Sequence, residues 1–235
     1  MACKVSYHPR RFETQNMKIT EGVQSDTASD IAEFLKPYRD SLSAQMNQVA
    51  AYLPQTLTKQ GYESELGTTL CYSLYAYWKK LHGDSSLPVL AIYNTGGLRL
   101  PALPAGQLTT GKVYELLPFD NTLVALELDA PTLKQWIQLM IQAGGWPEYG
   151  LKYTLQDTTL QNLRMYQQGK WTGLDSRQKY IVLTNDYVAN GGDQCSFLVN
   201  QPRIDMKSTP VIIRDLFLNY VQDLDTIRVV NESSQ

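Results

Sequence analysis

Histidine is scarce in this sequence, and its scarcity restricts the chemistry that the chain can carry out. Among 235 residues there are two histidines, His8 and His82, and neither has other metal ligands clustered around it at ligand spacing. Protein sites for zinc and other transition metals draw mainly on imidazole, thiolate and carboxylate groups. The sequence therefore predicts no metal site. It indicates no serine or cysteine nucleophile either, since Cys195 has no plausible histidine partner.

Strong net charge and long apolar runs are also missing. The formal net charge is −2, so no strongly basic face indicates nucleic-acid binding. The apolar runs are far too short to span a bilayer, and the first four residues lack the apolar core of a signal peptide. Ala2-Cys3 before a polar stretch is typical of the end of a lipoprotein signal. Two interpretations stay open here: a lipid anchor at Cys3, or a free cysteine in a flexible terminus.

What the sequence does contain is enough apolar residues for one sizeable core. Hydrophobic residues make up 43% of the chain, and this proportion at this length is enough for one sizeable core or at most two small ones. We expect a flexible tail over residues 1–24 and the domain over residues 25–235. Cys71 and Cys195 could form a disulfide only if the fold brings them together, and Cys71 lies on the apolar face of a predicted helix.

Apolar periodicity predicts a mixture of helices and strands. A helix begins near Asp26 to Asp30 with a kink or restart at Pro37, and a second runs from the Ser64 cap to His82. A third covers 129–142 with Asp129 as its cap, and a last one starts at Pro210. Strands are predicted at 49–53, 89–93, 122–128, 153–166 and 180–184, with a final one at 227–230 and a turn-rich connection at 169–176.

The most informative stretch is Asn94-Thr95-Gly96-Gly97-Leu98-Arg99, which follows the apolar strand 89–93. A glycine pair permits positive φ and close approach of the backbone to another group. Arg99 places a planar cationic fork beyond this loop, suited to a planar or anionic oxygen ligand. The alternative is an arginine that pairs with a carboxylate within the fold.

Two further motifs follow in order, and together the three resemble a known family. They are Leu117-Pro118-Phe119-Asp120-Asn121 and Tyr187-Val188-Ala189-Asn190-Gly191-Gly192-Asp193. The set resembles the C-terminal, substrate-binding domain of the 5′-nucleotidase / UDP-sugar hydrolase family, over roughly residues 25 to 225. The resemblance implies an α+β fold of mixed β-sheets flanked by helices.

The resemblance also implies a role for each motif residue. Phe119 and Tyr187 would sandwich a nucleobase, because every base has a π-face to stack on; the alternative is that both are core residues. Asp193 would accept hydrogen bonds from ribose hydroxyls, or else form a turn within its own loop. Arg99 would reach the phosphate, Asn94 would hold the base edge or order the loop, and the backbone at Gly96 and Gly97 would give clearance.

In complete family enzymes a separate metallophosphatase domain carries two metal ions, and none of its motifs occurs here. We therefore expect a stand-alone substrate-binding subunit that binds a nucleotide or nucleoside and has no catalytic residue or cofactor of its own. Divalent metal ions would lie on a separately encoded metallophosphatase partner. Since the family is mostly exported, the resemblance implies the periplasm or cell envelope.

Three positions depart from the family pattern: Gln60 replaces an arginine, Thr68 an asparagine and Tyr72 an aspartate. These departures keep two alternatives open. One is an exported nucleotide- or nucleoside-binding protein without a catalytic role. The other is a degenerate structural domain that has lost its ligand.

Overall fold

The computed structural model describes residues 26–59, 64–157, 159–206 and 210–227. The chain divides into two units, residues 1–43 and 44–235. The predicted tail with Cys3, the departure at Gln60 and most of the strand predicted at 227–230 lie outside the described residues.

The described residues form an α+β fold, as the resemblance predicted. Its helices are α1 (Asp26–Met46), α2 (Glu65–His82), α3 (Thr110–Leu116), α4 (Ala130–Gln142), α5 (Asp186–Ala189) and α6 (Ile213–Leu224). Its strands are β1 (Val49–Leu53), β2 (Leu57–Thr58), β3 (Val89–Ile92), β4 (Ala102–Leu103), β5 (Gly106–Thr109), β6 (Leu123–Asp129), β7 (Glu148–Tyr149), β8 (Leu151–Gln156), β9 (Thr159–Gln167), β10 (Lys170–Gly173), β11 (Lys179–Asn185) and β12 (Arg203–Ile204).

Helix α1 supplies the described part of the first unit. It begins at Asp26, within the predicted range, and continues through Pro37 without the restart that we expected there. Its apolar residues recur at helical spacing, but their side chains are exposed: Ile31, Phe34, Leu35, Tyr38 and Leu42. Periodicity therefore located the helix and its apolar face without showing whether that face is covered.

The second unit is organised on a mixed five-stranded sheet with the strand order β12-β6-β11-β3-β7. Strands β3 and β11 are parallel neighbours, whereas β6 runs antiparallel to β11. The remaining strands form a three-stranded antiparallel sheet, β10-β9-β8, and the pairs β1-β5 and β2-β4. The segment 169–176, which we predicted as a turn-rich connection, contains β10.

The five-stranded sheet separates two hydrophobic cores because its side chains alternate between its faces. Val89 and Ala91 of β3 belong to one core, and Leu90 and Ile92 belong to the other. Helices α2 and α6 contribute to the first core, and α4 contributes to the second. The near-continuous apolar sequence of β3 follows from burial on both faces.

Capping residues set the helix boundaries much as the sequence indicated. The Ser64 hydroxyl accepts a 2.9 Å hydrogen bond from the Gly67 amide at the start of α2. The Asp129 carboxylate accepts a 2.9 Å bond from the Thr132 amide at the start of α4. Helix α6 begins at Ile213, three residues later than Pro210 suggested, because Ile212 still bridges to Thr122 beside the sheet.

Cys71 and Cys195 are free thiols, and both are buried. Burial raises the pKa of Cys71 well above its usual value, so this thiol stays protonated. Of the helices in the described ranges, none has the length and apolar character needed to cross a membrane.

Candidate functional site

The three sequence motifs meet at one edge of the five-stranded sheet. The loops after β3 and β11 leave the same edge because those strands are parallel neighbours. The loop before β6 reaches that edge too, since β6 is antiparallel to β11 and Leu123 pairs with Asn185. Strand direction alone therefore brings together segments that lie far apart in the sequence.

A cavity of about 360 Å³ lies between these loops. Its lining consists of Asn94, Gly96, Gly97, Arg99, Phe119, Asn121, Tyr187 and Asp193. The structure thus brings all seven predicted site residues to one cavity and adds Asn121. The sequence held a signal for Asn121, since the motif that contains Phe119 ends on it.

Phe119 and Tyr187 line this cavity from two different loops. Their side chains are 47% and 49% exposed. Neither is therefore a core residue, which was the alternative interpretation for both. Tyr187 lies directly against the backbone of Gly192: a Cβ added there would come within 2.5 Å of the tyrosine ring. Gly192 is therefore needed for the ring to take this position.

A buried chain of amide side chains holds Asp193. Asn185 donates to Asn94 Oδ1 at 2.8 Å, and Asn94 Nδ2 donates to Asp193 Oδ2 at 2.7 Å. The second carboxylate oxygen of Asp193 accepts from the Tyr187 hydroxyl at 3.1 Å. The side chain of Asn94 thus orders the loops, which was one of its two predicted roles.

Asn185 also begins α5, because its Oδ1 accepts a 2.8 Å bond from the Val188 amide. It lies at the end of β11, where an asparagine before a helix is a typical N-cap. This local pattern predicts the capping role of Asn185 but not its contact with Asn94. Its bond to Asn94 joins residues 91 positions apart in the sequence, and no sequence pattern indicated it.

Tyr93 lies beneath the cavity and supports it from the core. Burial raises the pKa of Tyr93 to about 12, although hydrogen bonds with the side chains of Asn121 and Asn185 act in the opposite direction. A Cβ added at Gly97 would come within 2.5 Å of the Tyr93 ring. Within the glycine pair of the first motif, Gly97 is therefore required for close packing against Tyr93, whereas Gly96 has room around it.

Arg99 brings positive charge to the cavity. Its guanidinium donates to the Gly96 carbonyl at 3.3 Å and lies 5.9 Å from the centre of the Phe119 ring. In the described ranges no carboxylate forms an ion pair with it. The alternative interpretation, an arginine neutralised within the fold, therefore finds no support among these residues.

Lys59 is a second cation near Arg99 that sequence reasoning missed. Its ammonium group donates to the Leu98 carbonyl at 2.6 Å. Burial, and then the charge of Arg99, lower the pKa of Lys59. No local motif marks Lys59, because its approach to Leu98 depends on the pairing of β2 with β4.

Asp186 ties the two aromatic loops together. Its Oδ1 accepts from the Thr122 amide at 3.1 Å and from the Tyr187 amide at 3.0 Å. Thr122 follows the motif that contains Phe119, so one carboxylate holds both loops. No local sequence pattern marks Asp186, because its partner Thr122 lies 64 residues away.

No group of three or more histidine, cysteine, aspartate or glutamate side chains lies close enough to hold a metal ion in the part of the chain that the structure describes. Cys195 lies near the cavity, and its thiol donates to the Asp193 carbonyl at 3.7 Å. Burial, with a further contribution from the Asp193 carboxylate, raises the pKa of Cys195 to about 12. Such a thiol is a poor nucleophile at neutral pH.

Comparison with known proteins agrees with this geometry. The family model for the 5′-nucleotidase C-terminal domain matches residues 45–200, which include all three motifs. The chain belongs to this family. Its 5′-nucleotidase C-terminal domain is 28% identical over 152 residues to the NAD 5′-nucleotidase of Haemophilus influenzae, covering 57% of this chain and 25% of that protein.

Solved structures support the same assignment. The 5′-nucleotidase precursor from Thermus thermophilus superposes with a TM-score of 0.72 at 26% identity, over 87% of this chain and 42% of that one. The Haemophilus influenzae NAD nucleotidase shares the fold, with a TM-score of 0.64 at 18% identity, over 88% of this chain and 40% of that one. This 5′-nucleotidase C-terminal domain thus spans less than half the length of these relatives.

One departure from the family pattern has a structural explanation. Tyr72, at a family aspartate position, packs edge-on against Tyr149 with ring centres 5.0 Å apart and lies 6.1 Å from Tyr220. It belongs to an aromatic cluster at the margin of the first core. The aromatic ring makes apolar contacts here that an aspartate would not make.

Proposed function

We propose that this chain is the nucleotide-binding subunit of a 5′-nucleotidase-type phosphoesterase. The observation that supports it is the cavity in which two half-exposed aromatic rings, a cation and a carboxylate converge. Each group matches one part of a nucleotide: Phe119 and Tyr187 the base, Asp193 the ribose, and Arg99 the phosphate. The relative named as an NAD 5′-nucleotidase acts on a nucleotide, which supports this ligand class.

The aromatic rings would hold the base by stacking on it. An aromatic surface contributes about 1–3 kcal/mol per stacked base. Because both side chains are about half exposed, truncating them leaves no core cavity and should not unfold the protein. Loss of affinity without loss of stability is therefore the expected signature of an aromatic clamp, in which Phe119 and Tyr187 hold the base between them.

The test is a calorimetric titration of AMP and adenosine into the wild type, Phe119→Ala and Tyr187→Ala. Each variant should lose about 1–3 kcal/mol of binding free energy for both ligands. Tyr52→Ala is the matched control, because Tyr52 is also 50% exposed but does not line the cavity. A wild type that does not bind millimolar AMP would overturn the proposal.

For hydrolysis we propose a separately encoded metallophosphatase subunit that carries the divalent metal ions. The scarcity of histidine supports this division, and so does the lack of a ligand cluster in the described ranges.

We also propose a cell-envelope location with a lipid anchor at Cys3. Metabolic labelling with a radioactive fatty acid, in the wild type and in Cys3→Ser, tests the anchor.

The second candidate is an exported nucleotide- or nucleoside-binding protein without a catalytic role. Departures from the family pattern at Gln60 and Thr68 favour it, and Tyr72, at a third such position, packs on Tyr149. Affinity purification of the chain from its own organism separates the two candidates. Recovery of a metallophosphatase would support the first, whereas AMP binding without such a partner would support the second.

A further inference from the structure

Arg214, on α6, contacts several parts of the loop that presents Phe119. Its side chain is 10% exposed, and it does not line the cavity. The guanidinium donates to Asp120 Oδ1 at 2.6 Å and to the carbonyls of Leu117 and Pro118 at 3.4 and 3.5 Å. These three partners flank Phe119 on both sides, while Phe119 itself lines the cavity.

Further contacts fix the arginine and the start of its helix. Arg214 Nε lies 3.6 Å from Oδ1 of its neighbour Asp215. The guanidinium lies 4.3 Å from the centre of the Tyr114 ring, a close cation–π geometry. The amide of Ile213, the residue before Arg214, donates to the Asn121 carbonyl at 2.9 Å. The start of α6 is thus attached to the end of the same loop.

We propose that Arg214 is a positioning residue that sets the place of Phe119 in the cavity. The inference rests on the proposed function, because Phe119 matters only if the cavity takes a base. The two carbonyl contacts are long for hydrogen bonds. The ion pair with Asp120 and the cation–π contact with Tyr114 therefore contribute most to fixing Arg214 in place. Arg214 lies outside the region 45–200 that the family model matches.

An arginine suits this role better than a lysine would. Its planar fork has several fixed donors and can reach the carboxylate and two carbonyls together while one face covers an aromatic ring. A lysine at this position could pair with Asp120 as a point charge, but it could not span all four partners. Arg214→Lys should therefore restore part of the function that Arg214→Met loses.

The first measurement needs no ligand. Hydrogen exchange followed by mass spectrometry on Arg214→Met should show faster exchange in the peptide that covers residues 117–121. Exchange in β11, the central strand of the five-stranded sheet, should stay at the wild-type rate. Arg177→Met is the control, because Arg177 is an exposed arginine whose ion pair with Asp175 does not involve the cavity. Unchanged exchange at 117–121 would overturn the inference.

The second measurement is a double-mutant cycle with AMP as the probe. Arg214→Met should weaken AMP binding about tenfold, which is about 1.4 kcal/mol. In the Phe119→Ala background the same change should alter affinity less than about twofold, because an arginine that acts through Phe119 has nothing left to position. An equal loss in both backgrounds would overturn the inference and assign Arg214 a general structural role.

The two measurements also separate this inference from the proposed function. If the wild type does not bind AMP, the proposed function fails, and the exchange rates alone decide whether Arg214 holds the loop. If the wild type binds AMP and the cycle shows no coupling, the proposed function stands and the positioning role fails. Arg214→Lys, with intermediate exchange and affinity, would support the positioning role against simple loss of folding.

Discussion

Tyr187 and Asp193 are joined by a 3.1 Å hydrogen bond from the tyrosine hydroxyl to Oδ1 of the carboxylate. Asn94 holds the other carboxylate oxygen at 2.7 Å. Bonds within the protein therefore orient the ring expected to stack on a base and the carboxylate expected to bind a ribose relative to one another. Such pre-organisation reduces the entropy that is lost on binding.

Asp193→Asn should weaken the binding of adenosine and leave the binding of 2′,3′-dideoxyadenosine unchanged. The carboxamide keeps an oxygen for Asn94, and asparagine tolerates the positive φ of 49° at this position. What it loses is the charged acceptor for ribose hydroxyls, about 1.5–3 kcal/mol. Calorimetry with both ligands measures the difference, and equal losses for the two would mean that Asp193 serves the loop alone.

Arg99→Ala should weaken the binding of AMP more than that of adenosine. A guanidinium that faces a phosphate makes a charge-assisted contact of about 1.5–3 kcal/mol, and the nucleoside lacks that acceptor. The gap between the two ligands should narrow at high salt, because exposed charges are screened. Arg177→Ala is the control for removing an exposed arginine. If AMP and adenosine lose affinity equally, Arg99 contacts the base or supports the fold.

Gly97→Ala and Gly96→Ala should differ in their effect on the free energy of unfolding. An added methyl group at Gly97 would come within 2.5 Å of the Tyr93 ring, whereas at Gly96 the nearest atom lies at 3.6 Å. Overpacking of this kind costs about 1–3 kcal/mol, so Gly97→Ala should lower the free energy of unfolding and Gly96→Ala should not. Urea unfolding of both variants measures this. Equal stabilities would show that Tyr93 moves away at little cost.

The purified chain should not hydrolyse AMP above background when Mn²⁺ or Zn²⁺ is added. Two-metal phosphoesterases need a set of clustered metal ligands, and the described residues contain no such cluster. Phosphate release measured with and without a chelator checks this expectation. Turnover that the chelator abolishes would contradict the two-subunit proposal.

The sequence predicted local structure and motif convergence better than it predicted the supporting contacts. Apolar runs marked the strands at β3 and β11, and caps such as Ser64 and Asp129 marked the helix starts, because these signals lie within a few residues. The short strand β10 was missed because its segment, 169–176, carries turn residues on both sides. The exposed face of α1 shows the converse, since periodicity cannot reveal what covers an apolar face.

The contacts that sequence reasoning missed at the site join residues far apart in the sequence. Asn185, Asp186 and Lys59 take these roles from partners that strand pairing brings near. Arg214 looked like an ordinary polar residue at the start of an amphipathic helix, and nothing near it in the sequence marks its ion pair with Asp120. Single-sequence patterns locate elements, whereas these contacts depend on how the elements are arranged.

The bond between Arg214 and Asp120 has a consequence for the order in which the protein is made. The two residues are 94 positions apart, so at about 5–20 residues per second a ribosome needs roughly 5–20 s between them. During that interval the loop that carries Phe119 has been synthesised without the arginine that holds it. The cavity can therefore reach its final form only after residue 214 has been synthesised.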